Sequence, residues 1–309
     1  MKAIYFLEHG GPEVLRYGDI ADPVAKPGEV VVDVHAASVN GADWKVRSAQ
    51  YGTPVTAFPY ILGRDFSGKV ATLGAGVTDF AVGDEVFGVL DVGQEGAYAE
   101  KVAVKAAIIA RKPDDLSHPA CAALALIGLT ALVAVEDTLE LKSGETILVQ
   151  GGAGGVAGFA IQVAKHIGAR VITTCSAGNV DYCRSLGADQ VIDYGAQDFT
   201  TVVSNVDAVF DTVGGDVTAK SFSVLRSGGR AAFIASGGKA PVSPRSDVRS
   251  LRPNVGRDRP HLERIAHLVR VGAVRVPEIR SYKLADAKAA HVVSQGRHLR
   301  GKLVFDVRA

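Results

Sequence analysis

Cysteine, tryptophan, methionine and net charge are all scarce in this chain of 309 residues: it carries three Cys, one Trp, one Met and a formal charge of +1. Cys121, Cys175 and Cys183 include no Cys-x-x-Cys pair, so neither a disulfide framework nor a cysteine-built zinc knot is written here. So sparse and odd a set points to reduced thiols and a cytoplasmic setting. The eight histidines are scattered, and none recurs at the i, i+3 or i+4 spacing of helix-borne metal ligands, so no metal site is expected. Near-neutral charge argues against an extended nucleic-acid surface. Arginines do gather between Arg245 and Arg259, but Asp247, Pro253 and Asp258 interrupt them, and the run reads as a solvated loop. No membrane partner is expected either, because no uninterrupted apolar run approaches the ~18 residues of a spanning helix. The longest candidate, Ala120 to Val135, is rich in small residues and reads as a buried helix. The N-terminal run is cut by Glu8 and His9, too short for a signal peptide, and reads as a first strand.

What the chain does have is apolar material: 47% of its residues are hydrophobic and 22% charged, enough for two cores. Over the first part, short Val-rich runs (Glu29 to Ala36, Gly68 to Gly74, Glu85 to Val89) are separated by Pro27-Gly28, Gly74-Ala75-Gly76 and Gly83-Asp84. That punctuation predicts a compact, barrel-like β domain over residues 1–121. The rhythm then changes to alternating strands and helices. Strands are expected at Thr146 to Gln150, Arg170 to Cys175, Gln190 to Asp193, Asp207 to Asp211 and Arg230 to Ala235, giving a doubly wound parallel sheet over residues 122–257. Residues 258–309 offer an amphipathic helix through Leu262 and Ile265, a second helix near Ala285 to Ser294, and a closing strand from Lys302 to Val307. They are too few for a third core and should rejoin the first domain.

Between the strand Thr146–Gln150 and a helix running through Val156, Phe159, Val163 and Ile167 lies Gly151-Gly152-Ala153-Gly154-Gly155-Val156-Ala157. Read from Gly152, it fits the Gly-x-Gly-x-x-Gly/Ala dinucleotide fingerprint, with a strand before it and a helix after it. Backbone amides and the helix N-terminus there suit a pyrophosphate. An NAD-selective site usually adds an acidic residue about twenty positions on. None occurs between Thr146 and Val180, and the second strand ends in Cys175-Ser176-Ala177-Gly178-Asn179, a turn with room for a 2′-phosphate. NADPH is therefore the expected cofactor.

The segment LVQGGAGGVAGFAIQVAKHIGARVITT (148–174) resembles the cofactor motif of zinc-independent medium-chain dehydrogenases/reductases. SVNGADWKVR (38–47), ILGRDFSGKV (61–70), VGDEVFG (82–88), ALIGLTAL (125–132), LGADQVIDY (186–194), DAVFDTVGG (207–215) and RGKLVF (300–305) follow the order of its quinone-oxidoreductase branch, closest to enone/alkenal reductase-like members. The resemblance implies a Rossmann domain within a GroES-like catalytic domain split in sequence, an active site in the cleft between them, and a homodimer pairing Rossmann sheets edge to edge through Arg230–Ala235 and the segment near Val248–Val255. It implies hydride transfer to a small electrophile, a quinone, enone or alkenal. It brings Asn40, Asp43, Lys45 and Tyr51 to the reacting groups. To the cofactor it assigns Thr130, Gly152, Ala153, Gly154, Gly155, Val156, Ser176, Asn179, Tyr194, Phe233 and Ile234.

Zinc-dependent relatives of that family carry Cys and Gly-His-Glu where this chain has Asn40-Gly41 and Gly63-Arg64-Asp65. Without zinc, alcohol oxidation loses its Lewis acid, whereas reducing a quinone or activated alkene asks only for positioning and charge stabilisation. Read alone, the residues leave plainer roles open: Asn40 as a helix cap, Lys45 and Arg47 on an exposed helix face, Tyr51 and Tyr194 as packing aromatics. A non-catalytic NADPH sensor or a zinc-free alcohol dehydrogenase also fits the same fingerprint.

Overall fold

The computed structural model describes residues 1–52, 54–296 and 298–309. The chain divides into two compact units, one holding Met1–Leu126, Gly256–Leu268 and Val276–Ala309, the other Ile127–Val255 and Val269–Arg275. The first division falls inside a helix, His118–Leu132, which continues as a π-helical stretch over Val133–Thr138. This helix is long and apolar enough to cross a membrane, but 78% of its most apolar window is buried within the protein, as in a core helix.

In the first unit the organising element is the strand Glu29–Val39, whose near-continuous apolar run is explained by burial. It pairs with Asp65–Leu73 on one side and Lys101–Lys105 on the other, and its far end takes the closing strand Lys302–Asp306. The register sets Leu303 opposite Val39, which brings the chain's last strand beside Asn40. Phe6, Leu62, Phe66, Tyr98, Leu303 and Phe305 fill the core beneath. Gly63 has φ +96, and a Cβ there would lie 2.3 Å from the Tyr98 ring, so only glycine allows this turn into Arg64.

Arg47 corrects the expectation of an exposed helix face. On the short helix Gly41–Arg47 it is fully buried, donating to Gly10 O at 3.1 Å and Gln295 Oε1 at 3.0 Å, with His291 Nδ1 at 2.8 Å. Burial and the Arg47 charge hold His291 down to about 3, so it stays neutral and can accept from the guanidinium.

Among the described residues the second unit carries a six-stranded parallel sheet in the order Gln190–Asp193, Arg170–Cys175, Thr146–Gln150, Val206–Asp211, Leu225–Phe233, Arg249–Leu251. The order reverses beside Thr146–Gln150, the switch point at which such sheets bind ligands. The strand expected over Arg230–Ala235 spans Leu225–Phe233 and is not an edge: Val206–Asp211 pairs with one side and Arg249–Leu251 with the other. Arg249–Leu251 is the edge strand, too short and polar for an apolar pattern to reveal.

The arginine run between Arg245 and Arg259 is likewise not a merely solvated loop. Arg245 donates to Phe222 O and Leu225 O, Arg252 to Phe233 O, Arg257 to Leu90 O, and Arg259 to Ile109 O and Ala106 O. These side chains satisfy strand and loop carbonyls, the role that otherwise falls to water.

Candidate active site

The glycine-rich loop is shaped on its inner side by packing. A Cβ at Gly152 would lie 2.3 Å from Thr173 Oγ1 and 3.1 Å from Cys183 Sγ, so the loop presses directly on the second strand. Gly151 N–H donates to Thr174 Oγ1 at 3.2 Å and Gly152 N–H to Thr174 O at 2.8 Å. The outer side differs: a Cβ at Gly154 would meet only Gly151 O, at 3.4 Å. Gly154 is the N-cap of the helix Gly155–Ile167, whose first amides, from Gly155, Val156 and Ala157, have no intrahelical acceptor. An open concave side lined by donors at a helix N-terminus is what a pyrophosphate requires. Ala153 packs inward against Cys175 and Cys183 and contributes main chain alone. Burial pushes the Cys183 thiol well up and raises Cys175 as well.

At the ends of adjacent strands, Ser176 follows Cys175 and Tyr194 follows Asp193, and Cys175 and Asp193 are register partners. Asn179 Nδ2 donates to Ser176 Oγ at 2.9 Å, while the Tyr194 ring is 55% exposed and therefore not a packing aromatic. The turn is polar, uncharged and partly open. Arg184, on the helix that follows, donates to Asp181 Oδ1 at 3.0 Å. Thr130 lies one turn before the π-helical stretch, on a half-buried face. Phe233 differs from expectation: its ring is wholly buried and packs on Phe222 at 5.1 Å, so its side chain belongs to the core. Ile234 follows it, half-buried, just beyond the strand.

A dense polar cluster occupies the first unit. Asn40 does cap the helix Gly41–Arg47, and its N–H donates to Asp43 Oδ2 at 2.8 Å. Its amide is committed elsewhere: Nδ2 donates to Asp65 Oδ1 at 2.7 Å and Ser38 O at 3.3 Å, and Oδ1 accepts from Lys302 Nζ at 2.7 Å. Ser38 Oγ donates to Asp65 Oδ2 at 2.7 Å. Asp43 is wholly buried and accepts from Tyr98 Oη at 2.5 Å. The side chains of Asn40 and Asp43 are thus engaged with neighbouring residues, while the buried Asp43 Oδ1 is left without a hydrogen-bond partner.

Around Asp43 the outer layer is Arg64, Glu95 and Tyr51. Arg64 donates to Glu95 Oε1 through Nε at 2.9 Å and contacts it through Nη2 at 2.8 Å, and its Nε is 3.9 Å from Asp43 Oδ1. The guanidinium lies 4.7 Å over the Tyr51 ring, with Nη1 at 3.5 Å from Tyr51 Oη. Burial raises both carboxyls, and Asp43 helps lift Glu95 to about 7. Burial works against the Arg64 charge, but Asp43 and Glu95 outweigh it and raise its proton affinity. Burial raises Asp65 and lowers Lys302, each opposed by the other's charge. Among the described residues no three His, Cys, Asp or Glu side chains gather to hold a metal ion. The cation at Gly63-Arg64-Asp65 is a guanidinium. Lys45, with Nζ 5.7 Å from the Trp44 ring, is half-buried, and Tyr51 is 45% exposed.

In the sequence Arg64 is marked only as a replaced ligand, and Glu95, Tyr98 and Lys302 are not marked as site residues. Only the Gly63-Arg64-Asp65 and RGKLVF matches pointed toward any of them.

Residues 26–114 match the family described as alcohol dehydrogenase GroES-like domain, and residues 186–305 that described as zinc-binding dehydrogenase. Among curated relatives, 2-methylene-furan-3-one reductase of Solanum lycopersicum is 34% identical, covering 85% of this chain and 69% of its own. The quinone oxidoreductase of Pseudomonas aeruginosa is 32% identical over 98% of this chain and 99% of its own. Among solved structures, the quinone oxidoreductase from Coxiella burnetii superimposes with a TM-score of 0.91 at 35% identity, covering 100% of this chain and 99% of its own. The Escherichia coli quinone oxidoreductase complexed with NADPH gives 0.91 at 28% identity, covering 99% and 100%.

Proposed function

The chain belongs to the quinone-oxidoreductase family of medium-chain dehydrogenases/reductases, and on that premise we propose that it is an NADPH-dependent, zinc-independent reductase of quinones or of activated alkenes such as enones and alkenals. The observation that carries the reading is the open outer side of the Gly151–Gly155 loop, backed by the amides that begin the helix Gly155–Ile167. NADPH, when bound, supplies the hydride. The loop amides and the helix dipole hold the pyrophosphate, and Ser176 and Asn179 offer hydrogen-bond donors to the 2′-phosphate without a repelling carboxylate. On the acceptor, negative charge develops on oxygen as hydride adds to carbon. Tyr51 and Lys45 are the donors that would meet it, and Asp43 and Asn40 hold the scaffold behind them.

Steady-state NADPH oxidation against a panel of quinones, enones and alkenals tests the reading, with simple alcohols and NADP⁺ as the reverse control. Turnover of at least one electrophile and none of the alcohols is expected. Efficient alcohol oxidation with no electrophile reduced would overturn it, and a bound, chelator-sensitive zinc would overturn its metal-free part.

Two further parts of the proposal are a homodimer and a cytoplasmic location. The unpaired edge of Arg249–Leu251 supports sheet-to-sheet pairing, since an open edge is otherwise an aggregation liability. Three unpaired thiols suit a reducing compartment. A concentration-independent monomer mass in light scattering would remove the dimer.

A further inference from the structure

Arg64 is only partly spent on its neighbours. Nε and Nη2 converge on a single oxygen, Glu95 Oε1, at 2.9 and 2.8 Å. Nη1 makes one contact, at the 3.5 Å limit of a hydrogen bond, with Tyr51 Oη. The side chain keeps 15% of its surface exposed. Here a flat guanidinium lies on an aromatic ring with one edge presented.

A second guanidinium approaches the same place. Arg257 Nε donates to Leu90 O at 3.0 Å, and Leu90 N–H donates to the main-chain carbonyl of Arg64 at 2.7 Å, so Leu90 links the Arg257 side chain to the Arg64 backbone. Arg257 also donates to the neutral carbonyl of Gly256 at 3.3 Å. Burial and the charge of Arg64 both weaken Arg257's hold on its proton, as expected of like charges sharing a partly buried region. The groups facing Arg64 from the packed elements are Asp43 on the helix Gly41–Arg47, Tyr51 after it, Glu95 in the loop following Glu85–Val89, and Arg257 on the returning segment. Of the two acids, Asp43 is wholly buried and Glu95 nearly so, whereas Tyr51 and the outer edge of Arg64 are open. Asp65 and Asp91 act on Arg257 in the opposite sense to Arg64.

We propose that Arg64 is a specificity-determining residue that binds a carboxylate carried by the acceptor, with Tyr51 beneath its guanidinium, Glu95 as its tether and Arg257 adding a second positive charge. The substrate class is thereby narrowed to conjugated ketones or quinones bearing a carboxylate. The inference rests on the reductase reading above and specifies its acceptor.

The test compares acetylacrylate, an enone acid, with its methyl ester, an enone of the same skeleton without the charge. The ratio of their kcat/KM values cancels the intrinsic reactivity that a variant leaves alone. In Arg64→Met the acid-to-ester ratio should fall by about ten- to a hundredfold, the worth of one charge-assisted hydrogen bond, and Arg64→Lys should recover part of it. Levulinate, the saturated acid, should bind the NADPH-loaded wild-type protein in calorimetry and bind Arg64→Met at least about tenfold more weakly. Because Arg64→Met strands Glu95, the double variant Arg64→Met/Glu95→Gln is measured alongside, with its melting curve and NADPH affinity as evidence of folding. An unchanged acid-to-ester ratio, or levulinate binding that is absent in the wild type or equal in a folded variant, would overturn the assignment. The calorimetry needs no turnover, so failure of the reductase reading leaves the carboxylate site separately decided.

Discussion

Lys302 Nζ donates to Asn40 Oδ1 at 2.7 Å and to Val39 O at 2.8 Å, joining residues more than 260 positions apart. The ammonium thereby fixes which way the Asn40 amide points, and Nδ2 is turned toward Asp65. The closing strand is therefore part of the site's scaffold as well as the last strand of a sheet.

Lys302→Met should cost about 1–3 kcal/mol, because it leaves Val39 O and Asn40 Oδ1 without their donor and removes a charge that favours ionised Asp65. Adding Asp65→Asn should recover part of the loss. Urea midpoints of the two variants check this, and a single variant as stable as wild type would show that the ammonium is dispensable.

Gly152→Ala should be destabilising by about 1–3 kcal/mol, since its methyl group would collide with Thr173 Oγ1. NADPH affinity should fall with it, as the loop lifts off the second strand. Nicotinamide fluorescence titration reads the affinity, and tight binding with an unaltered melting temperature would contradict the packing argument.

NADPH should be preferred to NADH by roughly ten- to a hundredfold, the worth of one hydrogen bond to a charged group. Ser176→Asp should reverse that order, restoring a ribose-binding carboxylate and repelling the phosphate. Equal kcat/KM for the two cofactors in the native protein would refute the assignment of this turn.

His118 stacks on His35 with ring centroids 4.4 Å apart, and its Nδ1 is 2.8 Å from Ser67 Oγ. Burial, then the charge of His35, hold His118 down to about 4, although Glu85 nearby opposes them. The folded state thus binds fewer protons than the unfolded one between pH ~6.5 and about 4. This contribution to stability is complete above pH ~6.5 and is lost as pH falls through that window. His118→Gln should flatten the decline in urea midpoint, and an identical pH profile would show that the ring is not responsible.

The apolar periodicity was sufficient for the first three strands of the second unit's sheet. Thr146–Gln150 and Arg170–Cys175 lie where it put them, because strands buried on both faces must be apolar, and the edge strand Gln190–Asp193 lies where expected as well. It failed at Arg249–Leu251 and Ile279–Lys283, edge strands whose side chains are partly solvated and carry no alternation. The cofactor loop was legible because its glycines are contiguous. The polar cluster was not, because Glu95 comes from a loop, Tyr98 from the chain just beyond it and Lys302 from the last strand. No local spacing records such a convergence. Arg47 misled for a related reason: a helical arginine is ordinarily solvated, and the partner ring of His291 lies 244 positions away.

All three thiols are buried, and burial lifts the Cys121 proton affinity to about 12. The thiolate is the form that attacks electrophiles, and at neutral pH such a group is almost entirely protonated as well as shielded. Quinones and enones are themselves alkylating agents, so an enzyme that collects them is exposed to inactivation by its own substrates. This protein keeps its sulfur nucleophiles inside, and repeated turnover of reactive acceptors should leave its thiols unmodified.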